Sequence, residues 1–194
     1  MLSEKLGHAL DKPLARVAAH IPLHPNTLTL AGLAITIYAG CVLSQDLFRG
    51  GLLVLAGAVF DVLDGAVARV NAKQTSFGAF LDSVLDRYAD SAVFAGIAAY
   101  YAQKGETGPV VLCAVALVGS LLTSYARARA EGLGAECRSG LIERPDRILL
   151  IVIGTTSGFI VPVLWALAVL SHLTTLQRIF VARKSLQGRS GKKD

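Results

Sequence analysis

The sequence predicts an all-α polytopic membrane protein, six transmembrane helices behind an N-terminal interfacial amphipathic helix, and three observations carry that prediction. Of 194 residues, 53% are hydrophobic and only 17% charged, with a mean hydropathy of +0.54, a balance too apolar for a soluble domain of this length. Apolar stretches near the roughly 20 residues that a membrane helix needs recur at 27–44, 51–68, 78–101, 109–126, 148–161 and 163–180. Lys and Arg also segregate: with both ends and every second loop on one side, only Arg49 and Lys104 fall on the other, and Arg87 lies within a span. The positive-inside rule then puts both termini in the cytoplasm of a cell-membrane protein.

Residues 1–24 hold no continuous apolar run, being interrupted by Lys5, Asp11, Lys12 and Arg16, and so do not resemble a cleaved signal. Leu2, Leu6, Leu10, Leu14, Val17 and Ile21 recur every three or four residues, the pattern of a helix lying on the membrane surface and bent at Pro13. His20 and His24 are spaced for a metal pair, but Pro22 between them argues against the helix that would align them. Six spans account for residues 1–181 as one membrane domain, and the basic, Gly- and Ser-containing segment 182–194 reads as a flexible tail. The net charge of +5 comes mostly from the flanks, which suits anchoring to anionic lipid and gives no support to nucleic-acid binding. Cys41, Cys113 and Cys137 form no CxxC pair and read as ordinary small side chains.

The most informative stretch is 59–90, where Asp61, Asp64, Arg69, Asp82, Asp86, Arg87 and Asp90 sit in or beside the second and third spans. An ionisable group at membrane depth costs about 2.5 to 3.5 kcal/mol on insertion scales and usually marks a function. Asp61 and Asp64 are three apart at the end of the second span, and Asp82 and Asp86 are four apart at the start of the third, so each pair shares a helix face. The connecting loop lies on the cytoplasmic side, which lets all four carboxylates converge just inside that surface. Their mutual repulsion requires raised pKa values or bound cations, and an all-oxygen set suits Mg²⁺ or Mn²⁺ better than zinc. Magnesium in such sites keeps positions open for phosphate oxygens, which makes a phosphate ester the expected partner. Gly65 permits close approach of a ligand to the helix backbone, Gly78 allows close helix packing, and Arg69 is placed to hold a phosphate.

The run Asp61-x-x-Asp64-Gly65-x-x-Ala68-Arg69, eight residues, then Gly78-x-x-x-Asp82-x-x-x-Asp86 matches every defined position of the signature of the CDP-alcohol phosphatidyltransferases, which the chain therefore resembles. That resemblance implies a six-helix bundle, usually a homodimer, with two divalent ions, Mg²⁺ or Mn²⁺, held by Asp61, Asp64, Asp82 and Asp86. It implies a CDP-linked lipid as donor, contacted by Gly65, Arg69 and Thr75 and by Pro25, Asn26, Thr27, Leu28 and Thr29 at the start of the first span. The reaction it implies is attack by an alcohol on the lipid-linked phosphorus with release of CMP. Asp86 follows the family pattern for the carboxylate that takes the alcohol's proton, in a site opening toward the cytoplasm.

The acceptor is read from the charged stretch 127–147, which contains Arg127-Ala-Arg129-Ala-Glu131 and Ile142-Glu143-Arg144-Pro145-Asp146-Arg147. Guanidinium groups are apt receptors for a phosphorylated polyol. The stretch is similar to the actinobacterial and archaeal subgroup that uses inositol 1-phosphate, which implies an acceptor-phosphate pocket of Arg127, Arg147 and Arg178. Arg127 stands where the actinobacterial pattern has Lys. The segment 81–90 lacks the Pro and Lys that glycerophosphate-using relatives carry after the third and fourth aspartates. Glycerol 3-phosphate, free inositol or serine remain alternative acceptors, and a cation transporter built on the same aspartates is the rival from another class. Against transport stand the clustering of the carboxylates at one face and the absence of an inverted repeat.

Overall fold

The computed structural model describes residues 25–70, 75–137 and 140–190, and they form helices joined by short turns, with no strand among them. The helices are α1 (Pro25–Leu43), α2 (Leu47–Val70), α3 (Ser76–Gln103), α4 (Thr107–Gly132), α5 (Arg144–Ser157) and α6 (Ile160–Ser190). The expected interfacial helix lies in 1–24, outside the described residues. Of the six helices, α1, α2, α4 and α6 are long and apolar enough to cross a bilayer. The α3 helix has the length, at 28 residues, but carries Asp82, Asp86, Arg87 and Asp90. The α5 helix has 14 residues, about 21 Å of rise, short of the roughly 30 Å hydrocarbon core.

The turns explain themselves locally. Thr75 opens α3 by accepting the Gly78 N–H at 2.9 Å on its side-chain oxygen, an N-cap bond. A reciprocal capping box between Glu143 and Asp146, with Pro145 in the first turn, fixes the start of α5. Gly158, in the left-handed region with φ 80°, ends α5 and lets α6 begin two residues later.

The helix α1 is the common support, packing on both α2 and α3, while α2 and α3 meet each other only marginally. The helix α4 packs on α3 and α6, and α5 on α2 and α6. Close approach of α1 and α3 depends on small residues: a Cβ added at Gly40 would stand 2.6 Å from the Ala92 carbonyl oxygen, and one at Gly96 would strike the Gly40 backbone. The main core includes Leu43, Val54, Val93, Ile97, Ile151, Leu164 and Leu167. It occupies the part of the bundle nearest the α1–α2 and α3–α4 turns. The opposite end, where α2 finishes and α3 begins, is left open between these two helices. Outward-facing Leu30, Phe48, Leu52, Val118, Trp165 and Phe180 are all exposed, an apolar exterior that suits lipid.

One expectation differs from the fold. The helix α6 continues through Ser190, so the first nine residues of the segment expected to be a flexible tail are helical. Ala182 and Leu186, four apart and on one face, pack against Ala130 in the last turn of α4 and Ala135 and Cys137 beyond it, which gives that last part of α6 a tertiary partner.

The Gly40 and Gly96 contact yields a direct test. Gly96→Ala should lower stability by about 1 to 3 kcal/mol, the usual cost of overpacking, whereas Gly108→Ala, which meets nothing within 4 Å, should cost nothing measurable. Thermal unfolding of the purified variants in one detergent compares them.

Candidate active site between α2 and α3

The i, i+3 spacing of Asp61 and Asp64 puts both on the side of α2 that faces the open cleft, and Asp82 answers from the second turn of α3. One carboxylate oxygen from each of Asp61, Asp64 and Asp82 lies within 4.8 Å of the others. Asp64 is buried, with 6% of its surface exposed, and receives a hydrogen bond from the Thr29 side chain of α1. Its Oδ2 atom is buried with no hydrogen-bond partner. No described Lys or Arg is within ion-pair distance of Asp64 or Asp82; the ion pairs at this end of the bundle go to Asp61, Asp86 and Asp90. A buried carboxylate oxygen without a donor is expensive. With three oxygen donors converging and two of the three carboxylates, Asp64 and Asp82, without a described ion-pair partner, the trio fits a hard divalent ion in composition and placement.

Asp86, one turn beyond Asp82, is outside that trio and has a different partner. Arg144, the first residue of α5, places its Nη1 atom 2.7 Å from Asp61 Oδ2 and 2.9 Å from Asp86 Oδ1, and its Nε atom 3.4 Å from Asp90 Oδ1. Arg87 adds a weaker contact to Asp86 Oδ2 at 3.6 Å and also bonds the Ser83 carbonyl. One turn along α5, Arg147 reaches Asp90 Oδ2 at 3.3 Å, and both partners are buried. The arrangement is two ladders in register: Arg144 and Arg147, three apart on α5, face Asp86 and Asp90, four apart on α3.

Two cavities meet at this cluster. A polar one of about 310 Å³ is lined by Asn26, Thr29, Asp64, Gly65, Ala68, Arg69, Thr75, Gly78, Ala79 and Asp82. It unites five of the eight residues expected to contact a CDP-lipid: Asn26, Thr29, Gly65, Arg69 and Thr75. Arg69 lies over Gly65, where an added Cβ would be 3.5 Å from its Nη1 atom. The remaining three stand apart: Pro25 begins α1, Thr27 is exposed, and Leu28 is buried in a small cluster with Ala66 and Val67. The second cavity, about 420 Å³, has walls of Leu33, Leu55, Val59, Leu85, Ile148 and Val152, among others, with Asp61, Asp86 and Arg144 also in its lining and Thr29 shared with the first. The carboxylates thus stand where a polar chamber adjoins an apolar one.

The three arginines expected to hold an acceptor phosphate have distinct surroundings. Arg127 is exposed and pairs with Glu131 at 3.0 Å. Arg147 is buried on Asp90, and Arg178 is buried with its Nη1 atom donating to the Thr123 carbonyl at 2.7 Å. Arg127 and Arg147 are near enough for their charges to act on Arg178. None of the three lines the two cavities described above.

The sequence reading assigned no role to Arg144, which makes the most ion pairs at the site among the described residues. A signal was present in Glu143-Arg144-Pro145-Asp146-Arg147: a Pro-led helix start with two arginines on one face, matched by Asp86 and Asp90 on α3.

Comparison with known proteins places the chain in a family. The model of the CDP-alcohol phosphatidyltransferase family matches residues 22–177. The chain belongs to that family. It is 38% identical over 195 residues to a phosphatidylinositol phosphate synthase of Mycobacteroides abscessus, covering 95% of this chain and 89% of the relative. It is likewise 38% identical over 178 residues to an archaetidylinositol phosphate synthase of Methanothermobacter thermautotrophicus, covering 88% and 89%. Two crystal structures of the phosphatidylinositol phosphate synthase of Mycobacterium tuberculosis superpose closely. The one with CDP-DAG bound has a TM-score of 0.79 and 32% identity, covering 90% of this chain and 94% of that one. The one in complex with manganese and citrate has a TM-score of 0.80 and 33% identity, covering 90% of each. The signature aspartates, Gly65, Ala68, Arg69 and Gly78 all fall within the family match.

The buried, donorless oxygen of Asp64 gives a prediction. Mn²⁺ should raise the thermal stability of the purified protein, by about 2.7 kcal/mol at a hundredfold excess over its dissociation constant. Asp82→Asn should remove most of that gain, while Asp46→Asn, in the α1–α2 turn, should leave it intact; a melting series in Mn²⁺ tests the pair.

Proposed function

We propose that this membrane enzyme transfers the phosphatidyl-type group of a CDP-linked lipid, CDP-diacylglycerol or CDP-archaeol, to a hydroxyl of inositol 1-phosphate and releases CMP. The observation that carries this reading is the trio Asp61, Asp64 and Asp82 at the meeting of a polar and an apolar cavity. The donor is a molecule of the same dual character. In this reading Asn26, Thr29, Gly65, Arg69 and Thr75 take the cytidine and phosphate portion in the polar cavity, while the lipid chains leave through the apolar one. Asp61, Asp64, Asp82 and Asp86 hold divalent ions, two per site, with Mg²⁺ and Mn²⁺ both suited to oxygen ligands. Bound there, the ions supply the positive charge that steadies the pyrophosphate and the departing CMP.

Asp86 takes the proton of the attacking hydroxyl. The hydroxyl oxygen forms a new bond to the lipid-side phosphorus, the bond from that phosphorus to the bridging oxygen breaks, and CMP departs with the electron pair. The phosphate of the acceptor is held by Arg127, Arg147 and Arg178, whose mutual repulsion an anion relieves. The names of the curated relatives support inositol phosphate as acceptor over glycerol 3-phosphate, and the arginines speak against an uncharged alcohol. The rest of the reading is architectural. All six helices embed in the cell membrane, the segment before α1 lies on its surface, and residues 1–181 form the working domain with a basic tail beyond. Both termini and the site face the cytoplasm, and two copies associate as a homodimer.

With Mg²⁺ or Mn²⁺ and a CDP-lipid, purified protein should release CMP on addition of inositol 1-phosphate and not of free inositol, serine or glycerol 3-phosphate. Asp86→Asn should lower turnover by about 10² to 10⁴, the range typical of losing a general base. Turnover on glycerol 3-phosphate would replace the acceptor and keep the reaction class, whereas CMP release with no acceptor dependence would sink the transfer reading.

A further inference from the structure

We infer that Arg144 is a positioning residue that competes with the divalent cation for Asp61 and Asp86, holding the carboxylates in place until the metal displaces it. The inference rests on the reading of Asp61, Asp64 and Asp82 as a cation site and goes beyond it by naming what occupies its neighbour. A single nitrogen, Arg144 Nη1, lies 2.7 Å from an oxygen of Asp61 on α2 and 2.9 Å from one of Asp86 on α3. It bridges two carboxylates from two helices that scarcely touch each other, as a metal ion would. Asp61 is therefore claimed twice, by the arginine and by the trio it forms with Asp64 and Asp82.

A guanidinium and a divalent ion sharing Asp61 would repel each other at close range. The ion needs the carboxylate oxygens; the arginine has somewhere else to go. Its backbone is fixed by the Glu143 and Asp146 capping box and by the buried Arg147–Asp90 pair one turn on. Its side chain is 23% exposed, against 3% for Arg147, so the two differ in freedom to move. Asp90 is already within 3.4 Å of Arg144 Nε and offers a partner away from the trio. Arg144 thus neutralises Asp61 and Asp86 in the metal-free protein and swings toward Asp90 as the cation binds, which leaves the carboxylates organised in both states.

The test is Mn²⁺ binding to the full-length protein in detergent, read by the loss of free-ion EPR signal, with no substrate present. Arg144→Gln should bind Mn²⁺ about tenfold more tightly than the unmodified protein, with Arg144→Lys between them. A folded Arg144→Gln protein that binds Mn²⁺ no better, or worse, would overturn the competition. If Arg144→Gln does not fold, titration of Mg²⁺ into protein carrying ¹⁵N-labelled arginine decides the matter. The Arg144 Nε–H signal, assigned with Arg144→Lys, must move as Mg²⁺ saturates, and a stationary signal would refute the displacement. Asp82→Asn separates the two readings. Loss of Mn²⁺ binding in Asp82→Asn with no gain in Arg144→Gln would sink the competition alone, whereas undiminished binding in Asp82→Asn would sink the cation site and the competition together.

Discussion

Negative charge placed inside an apolar bundle is the constraint on which the rest of this structure depends. Asp61, Asp64, Asp82, Asp86 and Asp90 converge from two helices, and at low effective dielectric their mutual repulsion must be relieved by protonation or by nearby cations. The chain supplies those cations unevenly. Arg144 and Arg147 answer Asp61, Asp86 and Asp90, while Asp64 and Asp82 receive none from the described residues. The consequence is a gradient across a few ångströms, from a compensated edge against α5 to an uncompensated edge facing the polar cavity. The second edge is the one that still carries uncompensated negative charge, and a cation would be attracted there.

The packing is arranged so that this cleft persists. If α2 and α3 packed against each other along their length, as consecutive antiparallel helices commonly do, the aspartates would be squeezed together with no room for an ion or a phosphate. Instead α1 separates them, and the small residues Gly40, Ala92 and Gly96 let α1 and α3 approach closely, while Gly57 does the same for α1 and α2 around Thr36. The hydrophobic core fills the other end of the bundle, where Leu43, Val93, Ile97 and Leu167 hold the helices without polar demands. Stability and function are thereby assigned to opposite ends of the same helices. Polar expense is concentrated where it is used.

How much of this could be read from the sequence depends on whether the information is local. The aspartate positions are legible because a helix converts spacing directly into geometry: three or four residues apart means one face, and a short loop brings two such faces to one end. The Gly65 and Arg69 juxtaposition and the apolar spans are legible for the same reason. For Arg144 only the helix start and the shared face with Arg147 are local; its partners are not, since its role arises from contacts to residues 54 to 83 positions earlier in the chain. Nor is the burial of Leu28, because residues 25–29 of α1 divide between a face on the polar cavity and one on Ala66 and Val67, a division set by how α1 rotates against α2. The continuation of α6 past Ala182 escaped for a similar reason: a basic, Gly-containing segment has low intrinsic order, and only contact with Ala130, Ala135 and Cys137 makes its last turns worth forming.

The shortness of α5 follows from the same electrostatic constraint. Its 14 residues span about 21 Å, so α6, the 31-residue helix that packs on it, continues well past its first turn. A helix that ran the full length would carry its N-terminus past the aspartates and present only its apolar middle to them. Beginning at Arg144, it instead brings two guanidinium groups and the positive end of its peptide dipoles to the level of Asp61, Asp86 and Asp90. Glu143 and Asp146 complete the exposed backbone groups of that first turn, which would otherwise lack partners. The length of one helix and the charge balance of the site are therefore a single structural decision: moving the start of α5 by one turn would unpair Arg144 from α2 and α3 together.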